Sequence, residues 1–180
     1  KEYSYKNNDL DGAYRVYGDN NQLAYQINYH NDKILSYTYE GKDGKLVAPI
    51  PVVNGTFKLV AYYKNGTKSA EIDLLEDEVH GTRKVYFSNG KLYIDGKRDL
   101  GMEDGSKKVY YTSGQLEKEE IYYQDLLHGI TKQYYQNGKL KSEEPYYMGD
   151  IHGVAKYYDE TGKLTQTRVY FYGVLQTVKK

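Results

Sequence analysis

Five glycines, Gly66, Gly90, Gly114, Gly138 and Gly162, follow one another at intervals of 24 residues. Four of the segments around them, "VYFSNGKLYIDG", "VYYTSGQLEKEE", "QYYQNGKLKSEE" and "KYYDETGKLTQT", align without gaps on their central turns, and "AYYKNGTKSAEI" extends the series backwards. A second series, Gly81, Gly105, Gly129 and Gly153, runs on the same period, each nine residues ahead of a member of the first. A fixed period of this length signals a supersecondary unit that cannot bury its apolar face alone and must stack on copies of itself. Towards the N-terminus the period loosens: Gly44 lies 22 residues before Gly66, and "GAYRVYGDNNQLAYQINY" places Asn21 where the others have glycine. Seven units result. The expected organisation is one repeat domain over residues 1–180, degenerate over 1–54 and regular over 55–180.

The units read as β-hairpins. Short runs of Tyr, Val, Ile and Leu flank Asn65-Gly66, Asn89-Gly90, Ser113-Gly114 and Asn137-Gly138, with no helical spacing of apolar residues. These dipeptides fit a two-residue turn whose residues take positive φ. That turn fixes a register: Tyr135 faces Leu140, Tyr134 faces Lys141 and Lys132 faces Glu143. By the same count Tyr111 faces Leu116, Lys108 faces Glu119, Phe87 faces Leu92 and Lys84 faces Asp95. An aromatic opposite leucine and a lysine opposite an acid thus recur in three units, as cross-strand pairing favours. Because side chains alternate, the aromatic–leucine pairs fall on one face with Tyr122, Tyr146 and Tyr170, which is expected to be apolar. The other face carries Tyr86, Tyr110, Tyr134 and Tyr158 beside Lys84, Lys108, Lys132 and Lys156. The predicted fold is all-β, an elongated single-layer array of about seven consecutive antiparallel β-hairpin repeats, stabilised by stacking between neighbours.

Composition narrows the function. The chain has 25 Lys and Arg against 25 Asp and Glu, interspersed, so neither phosphate-driven nucleic-acid binding nor a polybasic membrane patch is expected. Cysteine is absent, which removes disulfides, thiolate metal sites and cysteine nucleophiles. No apolar run reaches the roughly 20 residues that a spanning helix needs. The chain begins at Lys1 without methionine, which fits either a removed export signal or a shortened sequence; an exported or cell-envelope location is favoured slightly over the cytoplasm. There are 24 tyrosines beside three phenylalanines and no tryptophan, so tyrosine must supply buried area and surface chemistry together.

No group of residues has the form of a reactive site. His80, His128 and His152 each precede glycine, but repeat-equivalent side chains lie two strand spacings apart, about 10 Å, too far to share one metal ion. Ser88, Ser106, Ser113 and Ser142 sit in strands or turns, not at a strand-to-helix elbow. Glu119 and Glu143 are repeat-equivalent and each faces a lysine, which fits a solvated, paired face better than a glycosidase pair. The glycines mark turns and unit junctions, with no helix to complete a phosphate cradle. The stretch "IDGKRDLGMEDG", Ile94 to Gly105, reads as a loop-rich variant unit and the one break in the array. Neither an enzyme nor a cofactor or metal site is expected. The candidate partner-binding residues are therefore the outer row: Tyr86, Tyr110, Tyr134, Tyr158, Lys84, Lys108, Lys132 and Lys156. Tyrosine there offers a rigid ring with a polar tip, suited to a protein partner. A carbohydrate or cell-envelope ligand is the first alternative and a lipid surface the second. Exposed terminal strands also make end-to-end association plausible.

The order in "YYMGDIHGVAKYYDETGKL", Tyr146 to Leu164, is a tyrosine pair, glycine, His-Gly, lysine, a second tyrosine pair and Gly-Lys-Leu. This resembles the MORN repeat, specifically the bacterial MORN-variant proteins, some of which carry an antitoxin label. The likeness also covers Leu127 to Gly149, His152 to Gly173 and His80 to Leu92. Two units depart from it, since Gly105 follows Asp104 and Gly55 follows Asn54. The resemblance implies a sheet of successive hairpins that serves as a scaffold or recognition surface. It also implies membrane or phosphoinositide contact, proposed for eukaryotic relatives, and a toxin as the partner where the antitoxin label applies.

Overall fold

A computed structural model describes residues 1–6 and 8–179. Internal contacts divide the chain into two units, Lys1–Leu92 and Tyr93–Lys180. In the first, β1 (Tyr5–Lys6) pairs with β2 (Asp9–Leu10), and a four-stranded sheet follows, β3 (Gly12–Tyr17), β4 (Leu23–His30), β5 (Lys33–Thr38) and β6 (Ile50–Pro51). It continues with an antiparallel meander, β7 (Phe57–Tyr62), β8 (Lys68–Leu75) and β9 (Glu78–Tyr86). The second unit is a longer meander: β10 (Leu92–Asp99), β11 (Met102–Tyr110), β12 (Leu116–Tyr123), β13 (Leu126–Leu127), β14 (Gly129–Tyr134), β15 (Leu140–Tyr147), β16 (Asp150–Ile151), β17 (Gly153–Tyr158), β18 (Leu164–Phe171) and β19 (Val174–Lys179). No helix occurs among the described residues, in agreement with the predicted all-β hairpin array.

The repeat count is visible in the backbone. Among the described residues, seven loops close with the same two bonds: the amide of the first residue donates to the carbonyl four residues on, and the amide three residues on donates back. Their first residues are Gly18, Gly41, Tyr63, Phe87, Tyr111, Tyr135 and Asp159. In the sixth, Tyr135 N–H donates to Lys139 O at 2.8 Å and Gly138 N–H to Tyr135 O at 2.9 Å. Gln136, Asn137 and Gly138 therefore form a three-residue loop, with Gly138 alone at positive φ, 81°. The expected two-residue Asn-Gly turn is corrected. Asn137 instead uses its side chain twice, accepting Lys139 N–H at 2.9 Å and donating to Glu160 O in the next loop at 2.9 Å. In the first loop Asn21 takes the glycine's role with φ 60°, as asparagine tolerates better than most residues.

The longer loop shifts the pairs beside it by one. Tyr134 pairs with Leu140 and Tyr110 with Leu116, where Tyr135 and Tyr111 were expected, and Phe87 closes its loop on Lys91, not Leu92. One extra residue on the returning strand, Lys141, then restores the count, so Gln133 pairs with Ser142 and Lys132 with Glu143. Lys108 pairs with Glu119 in the same way. The lysine–acid register is as predicted because a turn one residue longer and a bulge one residue later cancel.

True two-residue turns with both residues at positive φ stand at the opposite ends of the strands. They are Asn31-Asp32, Glu76-Asp77, Leu100-Gly101, Gln124-Asp125, Met148-Gly149 and Tyr172-Gly173. Leu100-Gly101 lies in the stretch expected to be loop-rich, which is instead strand, turn and strand. Asn54-Gly55, read as a counterpart of His-Gly, is likewise a positive-φ turn pair. At the junctions that do follow the pattern, glycine takes φ between 85° and 113° (Gly12, Gly81, Gly105, Gly129 and Gly153), behind either His or Asp. The glycine carries the positive φ whether His or Asp precedes it.

The first unit is two layers. Ser69 Oγ donates to Ala24 O at 2.6 Å, and a buried cluster including Tyr25, Ile27, Leu59, Tyr63 and Ile72 forms between the four-stranded sheet and the meander. Tyr63 is almost fully buried beneath Gly18, where even a Cβ would clash with its hydroxyl. To the predicted stacked array the first unit thus adds a closed core.

Successive hairpins are stapled at the loop ends by tyrosine. Tyr63 Oη donates to Tyr86 O at 2.9 Å, Tyr111 Oη to Tyr134 O at 2.7 Å and Tyr135 Oη to Tyr158 O at 2.8 Å, each 23 residues on. Tyr111→Phe and Tyr135→Phe are each expected to lower stability by about 1 kcal/mol, the net worth of one such bond. Chemical denaturation of the single and double variants checks this, with an unchanged midpoint as the contrary result.

Candidate functional site

Alternation assigns the second unit's side chains to two faces. The outer face is defined by a row running across the strands: Lys108, Glu119, Lys132, Glu143 and Lys156, each in register with the next. Glu119 holds it together, with Lys108 Nζ at 3.2 Å and the Tyr134 hydroxyl donating at 3.2 Å. Glu143 accepts the Tyr158 hydroxyl at 3.4 Å. Lys132 and Lys156 make no ion pair among the described residues, although both are in register with Glu143. Burial first, and then the adjacent glutamate, pushes the Tyr134 and Tyr158 hydroxyls above their ordinary range, so both remain donors.

Within the second unit the candidate residues Lys108, Tyr110, Lys132, Tyr134, Lys156 and Tyr158 share one face. Tyr110, Tyr134 and Tyr158 are half-buried, with the last two turned onto glutamates. In the first unit Tyr86 is half-buried under Lys68 Nζ, 5.8 Å from its ring centre, and Lys84 pairs in register with Glu71. Glu71 also takes Lys58 at 2.6 Å and Lys68 at 3.0 Å.

Beside this lattice the outer face carries a row that the sequence reading missed. Ile121, Ile130, Pro145, Val154 and Val169 follow one another across the second unit, and Ile121, Ile130 and Val154 are 45%, 49% and 49% exposed. A depression of about 320 Å³ opens between Ile121 and Ile130, rimmed by Lys108, Glu119 and Lys132. The signal was available, because Ile121 and Pro145 share parity with Glu119 and Glu143 along their strands. Next comes an aromatic row: the His128 ring centre lies 6.3 Å from that of Tyr123 and 5.4 Å from that of Tyr147, and that of His152 lies 6.4 Å from Tyr147 and 5.3 Å from Phe171. A tyrosine thus stands between the two histidines, and no group of His, Asp or Glu among the described residues is placed to hold a metal.

The opposite face, expected to be apolar around Tyr122, Tyr146 and Tyr170, is corrected for the second unit. Its centre holds the buried Glu103 and Glu120 with small buried residues, Thr131, Ser142 and Ala155. Glu120 binds Lys118 at 2.6 Å, Glu103 binds Arg98 at 2.8 Å, and Lys107 lies over the Tyr122 ring. Burial, and then Glu120, raises the Tyr122 hydroxyl to about 12. Pairing with lysine lets the Glu120 carboxylate occupy the place that Ile72 fills in the first unit.

Hydrogen bonds from Lys58 and Lys68 hold the Glu71 carboxyl at about 2 against an ordinary 4.5. A depressed acid contributes stability in full above its unfolded value and loses it as pH falls through the folded value. Unfolding measured between pH 7 and pH 2 is expected to show a drop below about 4.5 that Glu71→Gln reduces; an identical profile for the variant contradicts the pairing.

The family model described as MORN repeat variant matches residues 10–31, 79–96, 103–125, 127–146 and 151–171, more than half of the chain. No curated protein matches it.

Proposed function

The chain belongs to the MORN repeat variant family, and from that premise we propose that it binds a protein partner through the outer face of its second unit. The family consists of repeat modules for binding or scaffolding that are generally non-catalytic. The observation that carries the proposal is the row of Ile121, Ile130, Pro145, Val154 and Val169, in which Ile121, Ile130 and Val154 are half-exposed, beside a lattice of Tyr134, Tyr158, Glu119 and Glu143. An apolar strip with a tyrosine and charged rim has the anatomy of a protein interface. The rim is also rigid. Tyrosines already bonded to glutamate lose little side-chain freedom on docking, which removes part of the entropy that association opposes.

In this reading Tyr110, Tyr134, Tyr158, Lys108, Lys132 and Lys156 orient the partner, and the aliphatic row supplies the buried area. Tyr86 and Lys84 hold equivalent places in the first unit. The alternating charges favour a partner of mixed sign, and leave no basic field for an anionic lipid surface.

Ile121→Ser, Ile130→Ser and Val154→Ser together change three half-exposed positions and should leave the sheet folded. A photo-crosslinking residue at position 130 or 154 of the full chain identifies the partner. The triple variant is expected to weaken that complex at least tenfold with its circular dichroism unchanged. Equal affinity, or crosslinking to polysaccharide or lipid alone, would reject the assignment.

A further inference from the structure

The two-residue turns of the second unit are built from unusual residues. A turn with both residues at positive φ favours asparagine, aspartate or glycine. The first unit has Asn31 at one such first position. The second unit has Leu100 (φ 42°), Met148 (φ 50°) and Tyr172 (φ 43°), large side chains in a region that L-residues enter at a penalty of about 1–2 kcal/mol. Their side chains do not repay this by burial: Leu100 is 50% exposed, Met148 43% and Tyr172 50%. Beside them Tyr123, Tyr147 and Phe171 are 49%, 50% and 59% exposed.

These turns form one edge. Gly149 N–H donates to Leu127 O and Gly173 N–H to Ile151 O, both at 2.9 Å, so each turn is bonded to the strand behind the previous one. The Tyr172 ring centre lies 4.5 Å from that of His152 and 6.3 Å from that of Tyr147. Of the four equivalent turns, three begin on strained, exposed, large apolar residues, with Gln124 at the fourth, and these three run against the local preference, which points to a demand from outside the fold.

Charge selects the occupant. Residues 99–104, 122–129, 146–153 and 170–177 contain Asp99, Glu103, Asp104, Asp125 and Asp150, and no lysine or arginine. Asp125 and Asp150 are exposed, Asp125 also accepting the Glu103 N–H at 2.7 Å; of the cations just outside these segments, Arg98 is bound to Glu103 and Lys97 is exposed. We infer that this turn edge docks a basic protein segment bearing apolar side chains. The edge adjoins the aliphatic row of the outer face, two residues further along the same strands, and is a second surface with its own charge. Its aspartates meet the partner's cations and its tips and rings meet the apolar side chains; an anionic bilayer would face like charge.

The test uses the full chain and a labelled peptide of alternating lysine and leucine, with a glutamate–leucine peptide as counterpart. The basic peptide should bind at least tenfold more tightly than the acidic one, with affinity falling as salt rises. Leu100→Asn with Met148→Asn should weaken binding at least tenfold. Because asparagine suits positive φ, that variant should melt no lower than the parent, so lost binding cannot be ascribed to unfolding. Ile121→Ser with Ile130→Ser and Val154→Ser should leave peptide binding intact, which separates this surface from the outer face. Unchanged affinity in the asparagine variant overturns the inference. So does tighter binding to phosphatidylserine vesicles or to a neutral polysaccharide, or self-association of the chain that the asparagine substitutions abolish.

Discussion

Between successive hairpins the ladder is short, and this constraint governs everything else in the second unit. β14 and β15 share six residue pairs, whereas β12 meets β14 at only two, Lys118 with Gln133 and Glu119 with Lys132. The same holds between β15 and β17. Two further pairs resume nearer the turn, Tyr122 with Leu127 and Tyr123 with Leu126, so the ladder is interrupted rather than continuous and its ends are tied. At one end a tyrosine hydroxyl and, in some loops, an asparagine amide reach the next loop 23 residues on. At the other, the second residue of each turn donates its amide 22 residues back: Asp125 to Glu103, Gly149 to Leu127 and Gly173 to Ile151. Between the short ladder and the turn, the glycine bulge lets the strand change its pairing without losing its direction. The fixed period follows from these ties, because any change of length in one unit would detach its staples from both neighbours.

The parts legible in the sequence were those set by local chemistry repeated many times. Periodicity located the loops, and the lysine–acid register was recoverable because it depends only on net residue count. The loop type was not legible, since Asn-Gly fits a two-residue turn and also the end of a three-residue loop. In two of the loops the asparagine side chain bonds its own loop and the next one, Asn65 to Ser88 and Asn137 to Glu160, contacts between units that a single hairpin does not contain. The true two-residue turns were hidden for the opposite reason: Leu100, Met148 and Tyr172 contradict turn preference, so no turn signal marked them. The second layer of the first unit rests on contacts such as Ser69 with Ala24, 45 residues apart, beyond the reach of any periodic argument.

The two units also show that a repeat does not by itself determine what its inner face buries. Leu59, Ile72 and Leu74 lie under the four-stranded sheet of the first unit and are apolar. At equivalent places the second unit has Thr131, Glu144 and Tyr146, with the Tyr146 hydroxyl donating to Glu144 at 3.3 Å. Backbone ties are the same in both, so side chains on this face are free to follow their cover. Where the face is not sealed by a second layer, carboxylates paired with lysine or tyrosine satisfy it without the desolvation that a closed core would impose.

The abundance of tyrosine then has a structural origin. Tyr111 and Tyr135 need both ring and hydroxyl to fill the loop end and staple the next unit. Tyr134 and Tyr158 cover the outer lattice and donate to its glutamates, and Tyr146 does the same on the inner face. Phenylalanine would supply the area and leave an acceptor unmet in each case. A tyrosine required by the repeat is weak evidence of recognition, however regular its row. Recognition is better sought in residues that the repeat does not need: Ile121, Ile130 and Val154 on the open face, and Leu100 and Met148 at turns where asparagine would be less strained. These side chains gain little from folding in the places they occupy. What they offer is apolar surface held at a spacing fixed by the staples, so the stiffness of the array and its capacity to bind have the same cause.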